Sequence, residues 1–171
     1  MIYDHTPRSQ PDRVTQQEKA VKLRVTMQDQ DGLIAWAEPR MGVEAGRAPP
    51  ETIALGVLDE AGNIRAVIWF NAFYSTHASA HIASDGSREW STRQVWRTIF
   101  GFAFDHLRKT RLMLIIPDWN IKAITFALKL GFKIEGVARC GADDGNDGIV
   151  FGMLAQECRW LSRSARDRIN G

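Results

Sequence analysis

The sequence predicts one α/β domain, a mixed and mostly antiparallel sheet with a central parallel β-α-β crossover and helices on both faces. Three observations carry this. Short alternating or all-apolar runs are separated by turn residues; two amphipathic stretches have helical spacing; and one of them sits between two apolar runs. A strand–helix–strand unit of that kind closes as a right-handed parallel crossover.

The elements follow in order. Val21, Leu23, Val25 and Met27 alternate as a half-buried strand. Asp29 or Asp31 can cap a short helix carrying Leu33, Ile34, Trp36 and Ala37, stopped by Pro39. Gly42 to Pro50 reads as a loop. Thr52–Leu58 and Ile64–Phe73 form a hairpin about the turn Asp59–Asn63. Ala78–Ser84 is a further strand. Ser91-Thr-Arg-Gln94 has the spacing of a capping box, and Val95, Ile99, Phe102, Ala103 and Leu107 continue a helix to about Lys109. Arg111–Ile116 is nearly all apolar, as in a strand covered on both faces. After a turn at Pro117–Asn120, a second helix runs from Ile121 to Leu130 with Gly131 as its stop. Phe132–Ala138 and Ile149–Leu154 are the last strands, joined by the turn-rich segment Gly141–Gly148. The expected organisation is a polar tail over 1–17, a domain over 18–160 and a polar tail over 161–171. The C-terminal run Arg159, Arg163, Arg166 and Arg168 suggests a solvated helical tail.

Composition narrows the function. The chain has 171 residues, 44% hydrophobic and 25% charged, with a formal net charge of +2. That balance calls for no nucleic-acid partner. No apolar run reaches the ~18 residues of a membrane span, so no membrane partner is expected. Cys140 and Cys158 form neither a metal spacing nor a disulfide framework, which implies reduced thiols and a cytoplasmic location. Asp143-Asp-Gly-Asn-Asp-Gly148 fails the ligand spacing of a calcium loop, and no metal is expected. The six tryptophans are scattered, as core or groove walls, and any exposed subset would mark a contact surface.

The stretch from Asn120 to Arg139 carries the most specific pattern. Asn120, Ala123, Gly131, Phe132, Glu135, Gly136 and Arg139 match N-x-x-A, seven residues, then G-F-x-x-E-G and a following arginine. This resembles the signature of the GNAT N-acetyltransferases, and Asp147–Met153 looks like that family's closing strand. It is most similar to the branch acting on ribosomal-protein N-termini and to GNAT-like chains of tailed phages. The resemblance implies an acetyl-CoA-dependent transfer to a primary amine, on a protein N-terminus or a small molecule, with acyl-CoA and the amine as partners. It implies that the acyl donor enters between the strands Ala78–Ser84 and Arg111–Ile116. Its pyrophosphate would meet the start of the intervening helix, where free N–H groups and the helix dipole favour an anion.

By that resemblance the cofactor-binding residues are Arg88, Ser91, Thr92, Arg93, Asn120 and Phe126, and the catalytic residues are His81 and Asn120. Asn120 can equally be a plain helix cap. His81 is the candidate base, ahead of His77 and Asp85, although a lone strand histidine often has a structural role. Two departures stand out. The family's glycine-rich cradle is replaced by Arg88-Glu-Trp-Ser-Thr-Arg93, and a tyrosine common in the second helix is Ala127 here. Trp90 and Arg93 can therefore fill the cradle. The alternative reading is a catalytically silent binding or assembly protein of this fold, such as a tailed-phage virion component. A homo-oligomer, or a partner holding the N-terminal tail, belongs with that reading.

Overall fold

Alternation and turn chemistry produce seven strands in the computed structural model, which describes residues 22–169. The tail expected over 1–17, and Val21, lie outside the described residues. The strands are β1 (Arg24–Thr26), β2 (Ile53–Leu58), β3 (Ile64–Asn71), β4 (His77–Ser84), β5 (Arg111–Pro117), β6 (Lys133–Ala138) and β7 (Gly148–Leu154). They form one sheet in the order β1-β2-β3-β4-β5-β7-β6. Only β4 and β5 are parallel; every other pair is antiparallel. This is the GNAT fold, with the mixed sheet and central crossover that the sequence predicts.

Helix α1 (Gln30–Ala37) is capped by Asp29, whose carboxylate accepts the Gly32 N–H at 3.1 Å. A single 3-10 turn, Glu38–Arg40, follows. Glu38 is buried, and its carboxylate accepts the N–H groups of Gly46 (3.0 Å) and Ala48 (3.1 Å). Those two bonds satisfy a buried carboxyl group and pin the 42–50 loop to the end of α1. Helix α3 (Ile121–Leu130) ends at Gly131, whose φ of 107° lies where a side chain would be strained.

Helix α2 departs from the sequence reading. It runs only from Arg93 to Gly101 and then widens into a π-turn over Phe102–His106, where the Leu107 N–H reaches back to the Phe102 carbonyl at 2.9 Å. The cap is also displaced by one residue, and with Val95 at the third position no reciprocal capping box forms. Thr92, not Ser91, is the cap, and its Oγ1 accepts the Val95 N–H at 3.3 Å. Ser91 Oγ instead accepts from the Trp96 indole at 2.8 Å.

The core has two parts. The larger lies under α2 and α3 and includes Phe70, Trp96, Phe100, Leu112, Phe132 and Phe151. The smaller joins α1 to the opposite face through Leu33, Ala37, Val67 and Trp69. The arginine-rich end, expected as a solvated tail, adds Leu161 and Ala165 to the larger core ahead of and within helix α4 (Arg163–Ile169). Its exposed arginines mask the apolar contact in a charge-based reading.

Candidate functional site

The site grows from a defect in the sheet. β4 pairs with β5 at only three rungs, His77↔Arg111, Ala78↔Leu112 and Ser79↔Met113. Beyond them β4 keeps its ladder with β3 as far as Ser84, and β5 keeps its ladder with β7 as far as Pro117. The two central strands therefore part from Ala80 and Leu114 onward. Their facing edges present backbone N–H and C=O groups without a strand partner, and such groups call for another source of hydrogen bonds. On the α2 side, a cavity of about 10 Å³ lies among Ala80, Ile82, Trp96, Phe100, Leu112 and Leu114. That is room for about one water molecule.

The start of α2 stands beside the parted ends. Thr92 serves Val95 through its hydroxyl and Trp96 through its carbonyl (3.1 Å). The Arg93 and Gln94 N–H groups have no acceptor among the described residues. Arg88 and Arg93 are exposed on either side of Thr92, so Arg93 does not plug the cradle. The carboxylates nearby are held: Arg65 pairs with Asp85 at 3.0 Å and with Glu89 at 3.7 Å. Two free N–H groups flanked by two cations fit an anionic phosphate. Trp90 does occupy the wedge between α2 and α3. Its ring packs at 5.4 Å from Trp96 and 6.1 Å from Phe126, and Phe126 lies 5.8 Å from Trp96.

His81 belongs to the other face of the sheet. It lies opposite Trp69 in the β3–β4 register and meets that ring edge-on at 5.8 Å. Its Nε2 is 3.2 Å from Asn71 Oδ1. With that oxygen as acceptor, Nε2 carries the hydrogen and Nδ1 keeps its lone pair. Burial holds the imidazole below its ordinary value of 6.5, with the Asp143 carboxylate pulling the other way. The histidine is thus neutral near pH 7, as a proton acceptor must be. Asn71 is itself buried. The two weaker candidates are elsewhere. His77 begins β4 at the end still paired to β5 and stacks on Tyr74 at 4.5 Å, while Asp85 is taken by Arg65.

The signature residues divide into separate roles. Asn120 follows the end of β5 and caps α3, its Oδ1 accepting the Ala123 N–H at 3.1 Å. Next to it, the Trp119 indole donates to Asp144 Oδ2 at 2.7 Å, and the Asp118 N–H donates to the Asp147 carbonyl at 2.9 Å. These bonds draw the 141–148 loop to the open end of β5 and bring Asp143 within electrostatic reach of His81. Glu135 is paired with Arg111. It takes both guanidinium nitrogens of Arg111, with Nη1 to Oε1 at 2.6 Å, across Gly152 of the intervening strand. Ala127, the position at which the sequence resemblance would lead one to look for a tyrosine, is buried in the core. Among the described residues, no three His, Cys, Asp or Glu side chains gather as a metal site, and no helix is long and apolar enough to cross a membrane.

Sequence reasoning did not single out Asn71 or Asp143. A polar residue closing the apolar run of β3 is the available signal for Asn71. Asp143 carries none, since loop packing alone brings it near His81.

No family model matches this sequence, and no curated protein matches it. Solved structures do. A spermidine N-acetyltransferase SpeG variant from Vibrio cholerae superimposes with a TM-score of 0.65 at 14% identity, over 85% of this chain and 98% of that one. An acetyltransferase-like protein from T. thermophilus matches with a TM-score of 0.61 at 18% identity, over 86% and 92%. A candidate ribosomal-protein-serine acetyltransferase from Vibrio cholerae matches at 24% identity with a TM-score of 0.53, over 61% of this chain. The match spans 64% of the length of that protein. At these identities the likeness is one of fold, and the fold is that of the GNAT N-acetyltransferases.

Proposed function

We propose that this protein is an acetyl-CoA-dependent N-acetyltransferase acting on a primary amine. The observation that carries the reading is the parting of β4 from β5 next to an anion-ready helix start, with a neutral histidine on the opposite face. A ligand laid in the split can pair with the free strand edges. Arg88, Arg93 and the N–H groups of Arg93 and Gln94 hold its phosphates, and Thr92 fixes the helix start. Asn120 shapes the far wall by capping α3, and Phe126 lines it. Acetyl-CoA supplies an acyl group already activated as a thioester. His81 Nδ1 accepts the proton of the incoming ammonium, directly or through water, and Asn71 orients the ring by accepting from Nε2. The neutral amine would then form the N–C bond as the thioester C–S bond breaks, and the proton shed by the new amide nitrogen would go to the departing thiolate. Asp143 favours a cationic acceptor at that mouth and, by its charge, stabilises the imidazolium formed.

The first test is the melting temperature with and without millimolar acetyl-CoA, CoA and an unrelated nucleotide. Ligand at a hundredfold its Kd adds ~2.7 kcal/mol to the folded state, at ~2–4 °C per kcal/mol for a domain of this size. A rise selective for acyl-CoA leads to an amine screen, in which His81→Ala loses about 10²–10⁴ in kcat while binding CoA as before. No rise with any acyl-CoA sinks the transferase reading.

A second reading has its own observation. Trp90, Trp96 and Phe126 fill the wedge beside the split, and the cavity measures about 10 Å³. A chain retaining the fold as a binding or assembly module has no need of an open cleft. That module gives no acyl-CoA shift, and its contact surface includes the exposed Trp119.

A further inference from the structure

The wedge that argues for closure also contains an unspent hydrogen-bond donor. Trp90 is 3% exposed, and its indole Nε1–H has no acceptor among the described residues. A buried donor left unpaired is costly, and protein interiors rarely keep one without a use. The ring cannot easily turn this N–H to water. It is packed by Trp96 and Phe126, and its own carbonyl is engaged by the Thr92 N–H at 2.9 Å.

We propose that the Trp90 indole N–H is a ligand donor, reserved for the carbonyl oxygen of a neutral amide in the arm of the acyl donor. This rests on the acyl-CoA reading above. The surroundings decide between amide and phosphate. The indole is walled by aromatic rings, whereas the cations Arg88 and Arg93 and the free helix N–H groups lie at the exposed start of α2. An anion drawn in among the rings loses its hydration without a charge partner; an amide loses far less and recovers one hydrogen bond. The charged end of the ligand is therefore gripped outside, and an amide of the pantetheine arm is read inside. Phe126, half-buried at the edge of the cluster, is the ring that yields to admit it.

The test is calorimetric titration of the full chain with CoA, pantetheine and adenosine 3′,5′-bisphosphate, comparing wild type, Trp90→Phe and Trp69→Phe. Trp69 Nε1 is the other buried indole nitrogen without a partner, on the opposite face, so Trp69→Phe controls for removal of an unpaired donor as such. The expected result is that Trp90→Phe weakens CoA and pantetheine about fivefold, the worth of one net hydrogen bond. The bisphosphate is unaffected, and Trp69→Phe changes none of the three. Unchanged pantetheine affinity in a folded Trp90→Phe protein overturns the proposal, as does an equal loss for the bisphosphate. A wild type that binds none of the three overturns the acyl-CoA reading itself and this inference with it. Should Trp90→Phe fail to fold, the indole N–H resonance of wild-type Trp90 is followed instead, told from that of Trp96 because Trp96 lies beside both Phe126 and Phe100 whereas Trp90 lies beside Phe126. A downfield move with pantetheine but not with the bisphosphate supports the assignment, and a stationary resonance overturns it.

Discussion

The two halves of the sheet are built by different means. From β2 to β4 the strands are covered on both faces, by α1 on one and α2 on the other, and β3 is buried from Ala66 to Asn71. Beyond the split, β5 and β7 are covered on one face only, and β6 is left open on both. Every residue of β6 from Lys133 to Val137 is exposed, and Ile115 on the uncovered face is 40% exposed. The outer half relies instead on its ladder and on the Arg111–Glu135 pair arched over Gly152. The candidate site lies at the seam. The packed half holds His81 and Asn71 rigidly, while the outer half supplies Asn120, Trp119 and the 141–148 loop.

Side-chain truncation separates the halves most widely. Phe70→Ala, in β3 with no exposed surface, is expected to cost ~3–5 kcal/mol. Ile134→Ala, in β6 at 55% exposure, should stay within about 0.5 kcal/mol of wild type. Urea midpoints measure both. Similar losses would mean that β6 is covered in solution by something absent from this chain's own fold.

Two glycines sharpen the contrast at smaller scale. A Cβ on Gly56 would strike the Leu33 side chain and lie 3.1 Å from Leu58 Cδ1, driving α1 off the sheet. Gly56→Ala is expected to cost ~1–3 kcal/mol by overpacking. A Cβ on Gly152 would strike only the ends of Glu135 and Arg111, which can swing aside. That pair is partly exposed, so Gly152→Ala should cost under about 1 kcal/mol. The reverse ranking, read from the same midpoints, would mean that the ion pair is what holds the outer half.

What the sequence disclosed follows the same division. Strand order, the Gly131 stop and the Asn120 cap are local events, written in side-chain period and turn chemistry within a few residues. Adjacent hydroxyls at Ser91 and Thr92 offer equivalent caps, and only the Trp96 indole, claiming Ser91, decides between them. The π-turn at Phe102–His106 keeps apolar residues inward, so a periodicity reading runs through it as ordinary helix. The split between β4 and β5 is a matter of backbone pairing and leaves no side-chain mark. Glu135 finds its partner 24 residues upstream, and His81 acquires Asn71 across a ladder and Asp143 from a loop. The family resemblance pointed to a region; tertiary contacts set the partners of the residues in it.

Acid should loosen the two halves in sequence. His81 is held below 6.5 by burial, so the folded state resists its protonation while the unfolded chain accepts the proton near 6.5. The unfolded state then binds more protons, and stability falls as pH drops through 6.5 toward the lower folded value. Glu135 is held below its ordinary 4.5, chiefly by the Arg111 hydrogen bonds. Its contribution is complete above 4.5 and is lost as pH falls through the depressed folded value. Asp59 and Asp144 are also lowered, by local hydrogen bonds, so Glu135 is one of several groups in that lower window. Melting temperature against pH measures both steps. His81→Gln, which can still donate to Asn71 but does not titrate, should flatten the upper step and leave the lower one. Glu135→Gln should lessen the lower step alone. An upper step that survives His81→Gln would show that the packed half does not hold its histidine neutral, and with that the case for His81 as proton acceptor would lose its physical basis.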